Sequence, residues 1–396
     1  MRNIGLDLLR IFAVLLVIGR HLHLPESSPD VIKACARGGW IGVDLFFVLS
    51  GFLVSSLLFR EYQKHGSLDI KRFLIRRAFK IYPAFWLFLA FTLVMRWYLG
   101  QQPRTSQLVG EIFFFQNYLG GLWNHTWSLA VEEHFYIGLA FLVTCLIAID
   151  PRRPFRRVPL IFAIIALSCF SFRLLNLVWF PEYSHRVYLF GTHIRIDSLM
   201  FGVLISYLWN YCELESRTAG IPTFLLVALA AALLSPAFIF QLETHKWISV
   251  AGVILFYLGS GVLLLAAIRW KTTESVLVQG IAGLGAASYS IYLWHMPVAT
   301  WGHDWISQAL GSDSYNLYLF TAVVGACVFG WLLNRMIENP VLLIRDRLLP
   351  SYSHAVKAGE RSAANVGVER TSGNGESPPA AFVTVQQSEA GSRAED

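Results

Sequence analysis

The sequence predicts an all-α polytopic membrane protein with about ten transmembrane helices, both termini cytoplasmic, and a disordered C-terminal tail. Three observations predict it. Of 396 residues, 55% are hydrophobic and only 15% charged, against about 25% charged in a soluble domain. The apolar residues recur in runs long enough to cross a bilayer, and Lys and Arg crowd into alternate connections. Such a composition, with a mean hydropathy of +0.51, excludes a disordered, collagen-like or nucleic-acid-binding chain. The net charge of +6 reflects cytoplasmic loops rather than an anionic polymer as partner. Five scattered cysteines (Cys35, Cys145, Cys169, Cys212, Cys327) without a CxxC pattern support neither a disulfide framework nor a zinc site. No HxxxH or HExxH spacing gathers metal ligands, so neither a metal nor a permanently bound cofactor is expected.

Runs of about 20 apolar residues fall at approximately 6 to 24, 40 to 59, 80 to 99, 127 to 149, 158 to 179, 187 to 210, 221 to 241, 247 to 268, 279 to 300 and 317 to 341. The stretch 108 to 119 is too short to span and reads as an interfacial or re-entrant segment. The first run carries Arg10 and His21 and lacks a small-x-small cleavage site, so it is read as a helix and not as a cleavable signal. With the N-terminus inside, the cytoplasmic connections receive Arg60, Lys64, Lys71, Arg72, Arg76, Arg77, Lys80, Arg152, Arg153, Arg156, Arg157, Arg217, Arg269, Lys271, Arg345 and Arg347, while the outer loops keep Lys33, Arg37, Arg104, Arg186 and Lys246. Residues 1–350 form the membrane domain. From Ser351 to Asp396 the composition turns to Ser, Gly, Ala, Glu and Pro, as in a disordered tail.

Charges inside a spanning helix are expensive and face a cavity or a partner. Arg10 and His21 stand eleven residues apart on the first helix, which brings them to one stripe about 16 Å apart. Arg10 suits phosphate and His21 suits proton transfer; the alternative is a snorkelling arginine and a packed histidine. Asp7, three residues before Arg10, can pair with it. Asp44 on the second helix lies at the same outer end as His21, where a carboxylate can orient an imidazole. Arg76 and Arg77, in a basic approach to the third helix, read either as a lipid-binding stripe or as part of a phosphate pocket. On the fourth helix Glu132 and Glu133 point about 100° apart, so they occupy different environments, whereas Ser128 and Glu132 share a face. Arg195 and Asp197 need at least one partner on another helix, His295 beside Trp294 reads as an aromatic-belt residue, and Glu338 can pair with cytoplasmic arginines.

In order along the chain, LDLLRIFAVLLVIGRH, GVDLFFVLSGFL, RFLIRRAFKIYP, TWSLAVEEHFY, RIDSLMFG, SYSIYLWHMPV and IENPVLLIRDR closely resemble the signature segments of the acyltransferase 3 family of bacterial membrane O-acyltransferases, over about residues 3 to 347. The family's Arg, ten residues, His pattern falls on Arg10 and His21, and its WSLxxEExFY pattern on Trp127, Ser128, Glu132, Glu133, Phe135 and Tyr136. His134, where a Gln is more usual, and Arg20 depart from the pattern. The resemblance implies a multi-pass enzyme of the bacterial cytoplasmic membrane that transfers acetyl or another short acyl group from acyl-CoA to a hydroxyl of a carbohydrate, lipid-linked glycan or glycosylated acceptor. Some relatives carry a fused extracytoplasmic hydrolase-like domain; here only the tail follows the tenth helix, which implies a stand-alone enzyme.

On that reading acyl-CoA docks its phosphates on Arg10 with Arg76 and Arg77, and His21 deprotonates the acceptor, by direct attack or through an acyl-histidine. Glu132 or Glu133 and Asp44 orient the histidine or the sugar. The rivals are a secondary transporter of a small solute, opposed by the lack of internal repeats, and a catalytically silent scaffold. The acceptor, the acyl chain and the oligomeric state are not legible in the sequence.

Overall fold

A computed structural model describes residues 3–270 and 275–350 of the chain. Lys271, counted above among the cytoplasmic cations, and the tail expected from Ser351 lie outside those residues. Among the described residues every regular element is a helix. The principal helices are α1 (Ile4–Arg20), α2 (Gly42–His65), α3 (Ile70–Tyr98), α4 (Trp127–Ile149), α5 (Val158–Trp179), α6 (Ile196–Tyr211), α7 (Thr223–Leu234), α8 (Val253–Ile268), α9 (Val276–Ala286), α10 (Ser288–Pro297) and α11 (Tyr315–Leu348).

Helix ends follow local chemistry. The Asn3 side chain accepts from the Leu6 N–H at 3.1 Å and the Asp69 side chain from the Arg72 N–H at 2.9 Å, capping α1 and α3. Gly66 closes α2 with φ +66°, its N–H donating to Tyr62 O at 2.8 Å. Between α3 and α4, short helices at Thr105–Ile112 and Gln116–Leu119 fold back on themselves. They are braced by buried Glu111, whose Oε1 accepts from the Leu122 N–H at 2.8 Å and the Thr126 hydroxyl at 2.9 Å.

Each of the ten apolar runs is largely helical, but among the described residues six helices are long and apolar enough to cross a membrane: Asp30–His65, Ile70–Tyr98, Asn124–Ile149, Pro154–Trp179, Ile248–Ile268 and Tyr315–Leu348. A seventh crossing arises if Val276–Ala286 and Ser288–Leu310, bent by 68°, count as one span. The other three runs differ for identifiable reasons. Helix α1 has 17 residues and stops at His21. The run expected at 187 to 210 is interrupted at Gly191, whose backbone is extended, and resumes only after Arg195. The run expected at 221 to 241 stops at Leu234 and leaves a short turn, Pro236–Ile239.

Small residues set the closest helix contacts, as in other membrane bundles. A Cβ on Gly51 of α2 would strike the Leu199 carbonyl of α6, and one on Gly202 the Val48 carbonyl. On the other side of the bundle, Gly285 of α9 lies directly on the backbone of Asp7. Two ion pairs lock α2, α5 and α6 together: Arg173 with Asp197, and Arg195 Nη2 with Asp44 Oδ1 at 2.8 Å. The Arg195 guanidinium also lies over the rings of Phe47 and Trp127.

Candidate active site

Helices α1, α2, α3, α4 and α10 surround a cavity of about 360 Å³. From α1 it receives Arg10, whose Nη1 donates to Asp7 Oδ1 at 2.5 Å. From α3 it receives Arg77 and Lys80. The Arg77 guanidinium rests over the rings of Phe73 and Tyr136 and has no carboxylate within ion-pair distance among the described residues. Lys80 pairs with Glu338 of α11, which in turn accepts from the Ser290 hydroxyl at 2.8 Å. The remaining polar groups come from α2, α4 and α10. Glu132 accepts from Ser50 Oγ and from the Tyr136 hydroxyl, each at 3.0 Å. Ser128 and Tyr292 face each other with 2.6 Å between their oxygens.

Beyond Tyr292 lies a cluster of three histidines. His295 Nε2 is 3.2 Å from His21 Nδ1, and the His125 ring is 4.7 Å from that of His295 and 6.4 Å from that of His21, centroid to centroid. Backbone carbonyls assign the tautomers, because a carbonyl only accepts. His295 Nδ1–H donates to Tyr292 O at 2.6 Å and His125 Nε2–H to Leu293 O at 3.1 Å. His21 Nδ1–H donates to Val17 O at 2.9 Å. The unprotonated Nε2 of His295 therefore accepts from the same His21 N–H, and the lone pair of His21 is left on Nε2. This is the arrangement a base needs: one nitrogen held, the other open.

The segment leading into α4 ties these parts together. Asn124 lines a second pocket, described below, His125 belongs to the histidine cluster, and Ser128 and Glu132 line the cavity. The Tyr292 hydroxyl donates to His125 O at 2.8 Å and so fixes this segment to α10.

The other residues expected at the site are placed elsewhere. Asp44 is fully buried and holds Arg195 and the Ser198 hydroxyl, not His21. Glu133 accepts from the Tyr82 hydroxyl at 2.5 Å and does not line the cavity. Arg76 also lies outside it, donating to Asp346 Oδ1 at 2.9 Å and to Leu349 O. Arg20, unusual beside His21, pairs with Glu243, which also lies 3.3 Å from His185 Nε2. The His185 hydrogen bond, with Arg20 adding to it, draws the Glu243 carboxyl down to about 2.

Sequence reasoning missed Lys80, Ser50, Tyr292 and His125, and gave His295 to the aromatic belt, whereas it is only 1% exposed. In the sequence Lys80 reads as one of the cytoplasmic loop cations, and nothing in the local pattern singles out Ser50. His125 gave one unused signal, its place three residues before Ser128.

Known proteins resemble this chain over most of its length. A family model described as an acyltransferase domain matches residues 3–335. A Staphylococcus aureus (strain COL) protein provisionally named an O-acetyltransferase is 28% identical over 368 residues, covering 85% of this chain and 56% of its own length. The O-acetyltransferase OatA of Staphylococcus aureus (strain NCTC 8325) is 26% identical over 360 residues, covering 85% of this chain and 57% of its own length. The chain thus spans a little over half the length of these relatives. No solved structure matches it.

Proposed function

Because the chain belongs to the acyltransferase 3 family, whose domain model matches residues 3–335, we propose that it is a multi-pass O-acyltransferase of the bacterial cytoplasmic membrane that moves an acyl group, acetyl in the first instance, from acyl-CoA to a hydroxyl of a carbohydrate. The observation that carries this reading is the convergence of Arg10, Arg77 and Lys80 on one cavity, with His21 farther along the same helix as Arg10.

All ten apolar runs cross the membrane in this proposal, with both termini cytoplasmic. The 17 residues of α1 rise about 26 Å, close to the roughly 30 Å of a hydrocarbon core. The cavity then lies toward the cytoplasm, where acyl-CoA is supplied. Arg10, Arg77 and Lys80 hold its phosphates by charge-assisted hydrogen bonds, and the pantetheine arm runs along the cavity toward Ser128 and Tyr292. Arg76 steadies the end of α11, and Asp44 steadies Arg195; neither touches a substrate.

In the chemical step His21 Nε2 takes the proton of an acceptor hydroxyl as its oxygen attacks the thioester carbonyl. The carbon–sulfur bond breaks, CoA leaves as thiolate, and the proton held on His21 returns to that sulfur, which leaves free CoA thiol and the O-acylated sugar. His295 keeps His21 in the required tautomer. Glu132, hydrogen-bonded by Ser50 and Tyr136, sets the polarity of the cavity wall, and Glu133 supports it from behind through Tyr82.

Membranes bearing the wild type should transfer label from radiolabelled acetyl-CoA into extracted glycans, and membranes bearing a folded His21→Ala variant should not. Full transfer by His21→Ala would overturn the assignment of the base.

A further inference from the structure

The loops assigned above to the outer face carry five cations, and the structure uses three of them internally. Lys33 donates to Glu26 O, Arg37 to Ile239 O at 2.8 Å, and Lys246 to Pro181 O. The other two, Arg104 and Arg186, have no carboxylate and no side-chain hydrogen bond among the described residues. Both line the same pocket, of about 290 Å³, between the 104–124 loop and Arg186–Phe190.

That pocket is built unlike the first. Its walls include Trp123 and Trp127, the latter stacked on Phe190 at 4.8 Å and 12°. Gln116 also lines it and is 2% exposed; its Nε2 donates to Thr126 O at 2.9 Å, while its Oε1 has no partner among the described residues. An unused buried acceptor is costly unless something donates to it. Gly120, at φ +90°, leaves room for the Arg186 guanidinium, which lies 2.8 Å from where a Cβ would stand. The rims of Trp123, Trp127 and Phe190 give an apolar wall for the C–H groups of a sugar ring, the amide suits its hydroxyls, and paired guanidinium forks suit an anionic oxygen group.

The pocket also lies at the right end of the molecule. Trp123 Nε1 donates to Thr92 Oγ1 at 3.0 Å, and Thr92 is about 18 Å along α3 from Lys80. On the near side, the Trp123 ring is 6.4 Å from that of His125.

We propose that this pocket is the acceptor subsite and that it takes an anionic glycan, with the sugar against the aromatic wall and its carboxylate or phosphate between Arg104 and Arg186. The proposal rests on reading the chain as a carbohydrate O-acyltransferase. It sharpens that reading: the acceptor carries a negative charge, and its hydroxyl reaches the histidine cluster from the side opposite the donor.

Binding to the full-length protein in nanodiscs tests it with four probes: tetragalacturonate, its methyl-esterified neutral counterpart, farnesyl diphosphate and acetyl-CoA. The wild type should bind tetragalacturonate or farnesyl diphosphate, and the neutral ester about 10-fold more weakly or worse. Arg104→Gln and Arg186→Gln should each weaken the bound anion about 10-fold, while Lys33→Gln, which removes an outer cation remote from the pocket, should bind it as the wild type does. If tetragalacturonate carries the effect, the charge is a sugar carboxylate; if farnesyl diphosphate does, it is the phosphate of a lipid-linked sugar. Binding of neither anion, binding by the two arginine variants as tight as by the wild type, or a loss in Lys33→Gln as large as in the arginine variants would overturn the proposal. The acetyl-CoA arm is read on the wild type alone, and failure there would overturn acetyl-CoA as the donor in the reading above without touching the anion result.

Discussion

Two sets of charges lie within the helices of this protein, and they are built on opposite plans. Arg173, Asp197, Arg195 and Asp44 are sealed: none is more than 1% exposed, and each arginine meets one carboxylate. Arg10, Arg77 and Lys80 open instead on a cavity, with Arg77 unmatched by any carboxylate among the described residues. The sealed set balances its own charge, one carboxylate to each arginine, and burial without surplus charge leaves no ion for a ligand to pair with. The open set leaves one guanidinium, that of Arg77, without an ion-pair partner among the described residues, and an anion entering the cavity can complete it. Intramembrane charge by itself therefore marks a site less well than charge left uncompensated beside a void.

The largest expected effect breaks the sealed set. Asp44→Ala leaves the Arg195 guanidinium buried without its counter-ion, which should cost about 3 to 5 kcal/mol of stability. Thermal unfolding in detergent should show it as a marked loss of folded protein, and a variant as stable as the wild type would refute the structural role of the pair. His21→Ala should do the reverse, leaving stability intact while lowering the transfer rate by roughly 10² to 10⁴. Arg77→Gln comes next. Losing one charged contact of about 1.5 to 3 kcal/mol should raise the KM for acetyl-CoA by roughly 10- to 100-fold with the melting curve unchanged. A normal KM would remove Arg77 from the donor site.

Glu111 offers the mildest test, because it is a buried carboxyl served by hydrogen bonds and, among the described residues, by no ion pair. Burial pushes it from 4.5 up to about 7. The folded segment then holds a proton that an opened one releases, so order in 105–126 should be greatest below pH about 4.5, weaken as pH rises toward 7, and level off above it. The slope is at most about 1.4 kcal/mol per pH unit. Hydrogen exchange, corrected for intrinsic rates, should follow that slope in the wild type and lose it in Glu111→Gln.

Much of this was legible in the sequence where the relation is local. The Asp7 and Arg10 pair is a matter of i, i+3 spacing, the divergence of Glu132 and Glu133 follows from the helical turn, and the apolar runs announced helices. Long-range partners were not legible: His295 is 274 positions from His21, and Asp44 is 151 from Arg195. Asp44 looked like an orienting carboxylate because depth in the bilayer can be read along a helix, whereas the direction of a side chain around the bundle depends on its neighbours. Arg76 and Arg77 could not be separated for the same reason, since one turns to Asp346 and the other to the cavity. Hydropathy also sees composition and not breaks, so the interruption at Gly191, which lets Arg195 reach Asp44, reads as continuous membrane.

The entry into α4 acts as a ruler. From Asn124 to Glu132 the chain advances about 12 Å, and along it stand one wall of the proposed acceptor pocket, one histidine of the cluster and three residues of the cavity proposed for the donor, Ser128, Leu129 and Glu132. Phase along this stretch is therefore shared property: inserting a single residue after His125 would turn Ser128 and Glu132 by about 100° while leaving Asn124 in place, and the cavity and the pocket would lose their common register. If the second pocket takes the acceptor, Arg104, Gln116 and Arg186 are the lining residues that can vary off the ruler, where a change of side chain leaves the gauge between the two halves untouched.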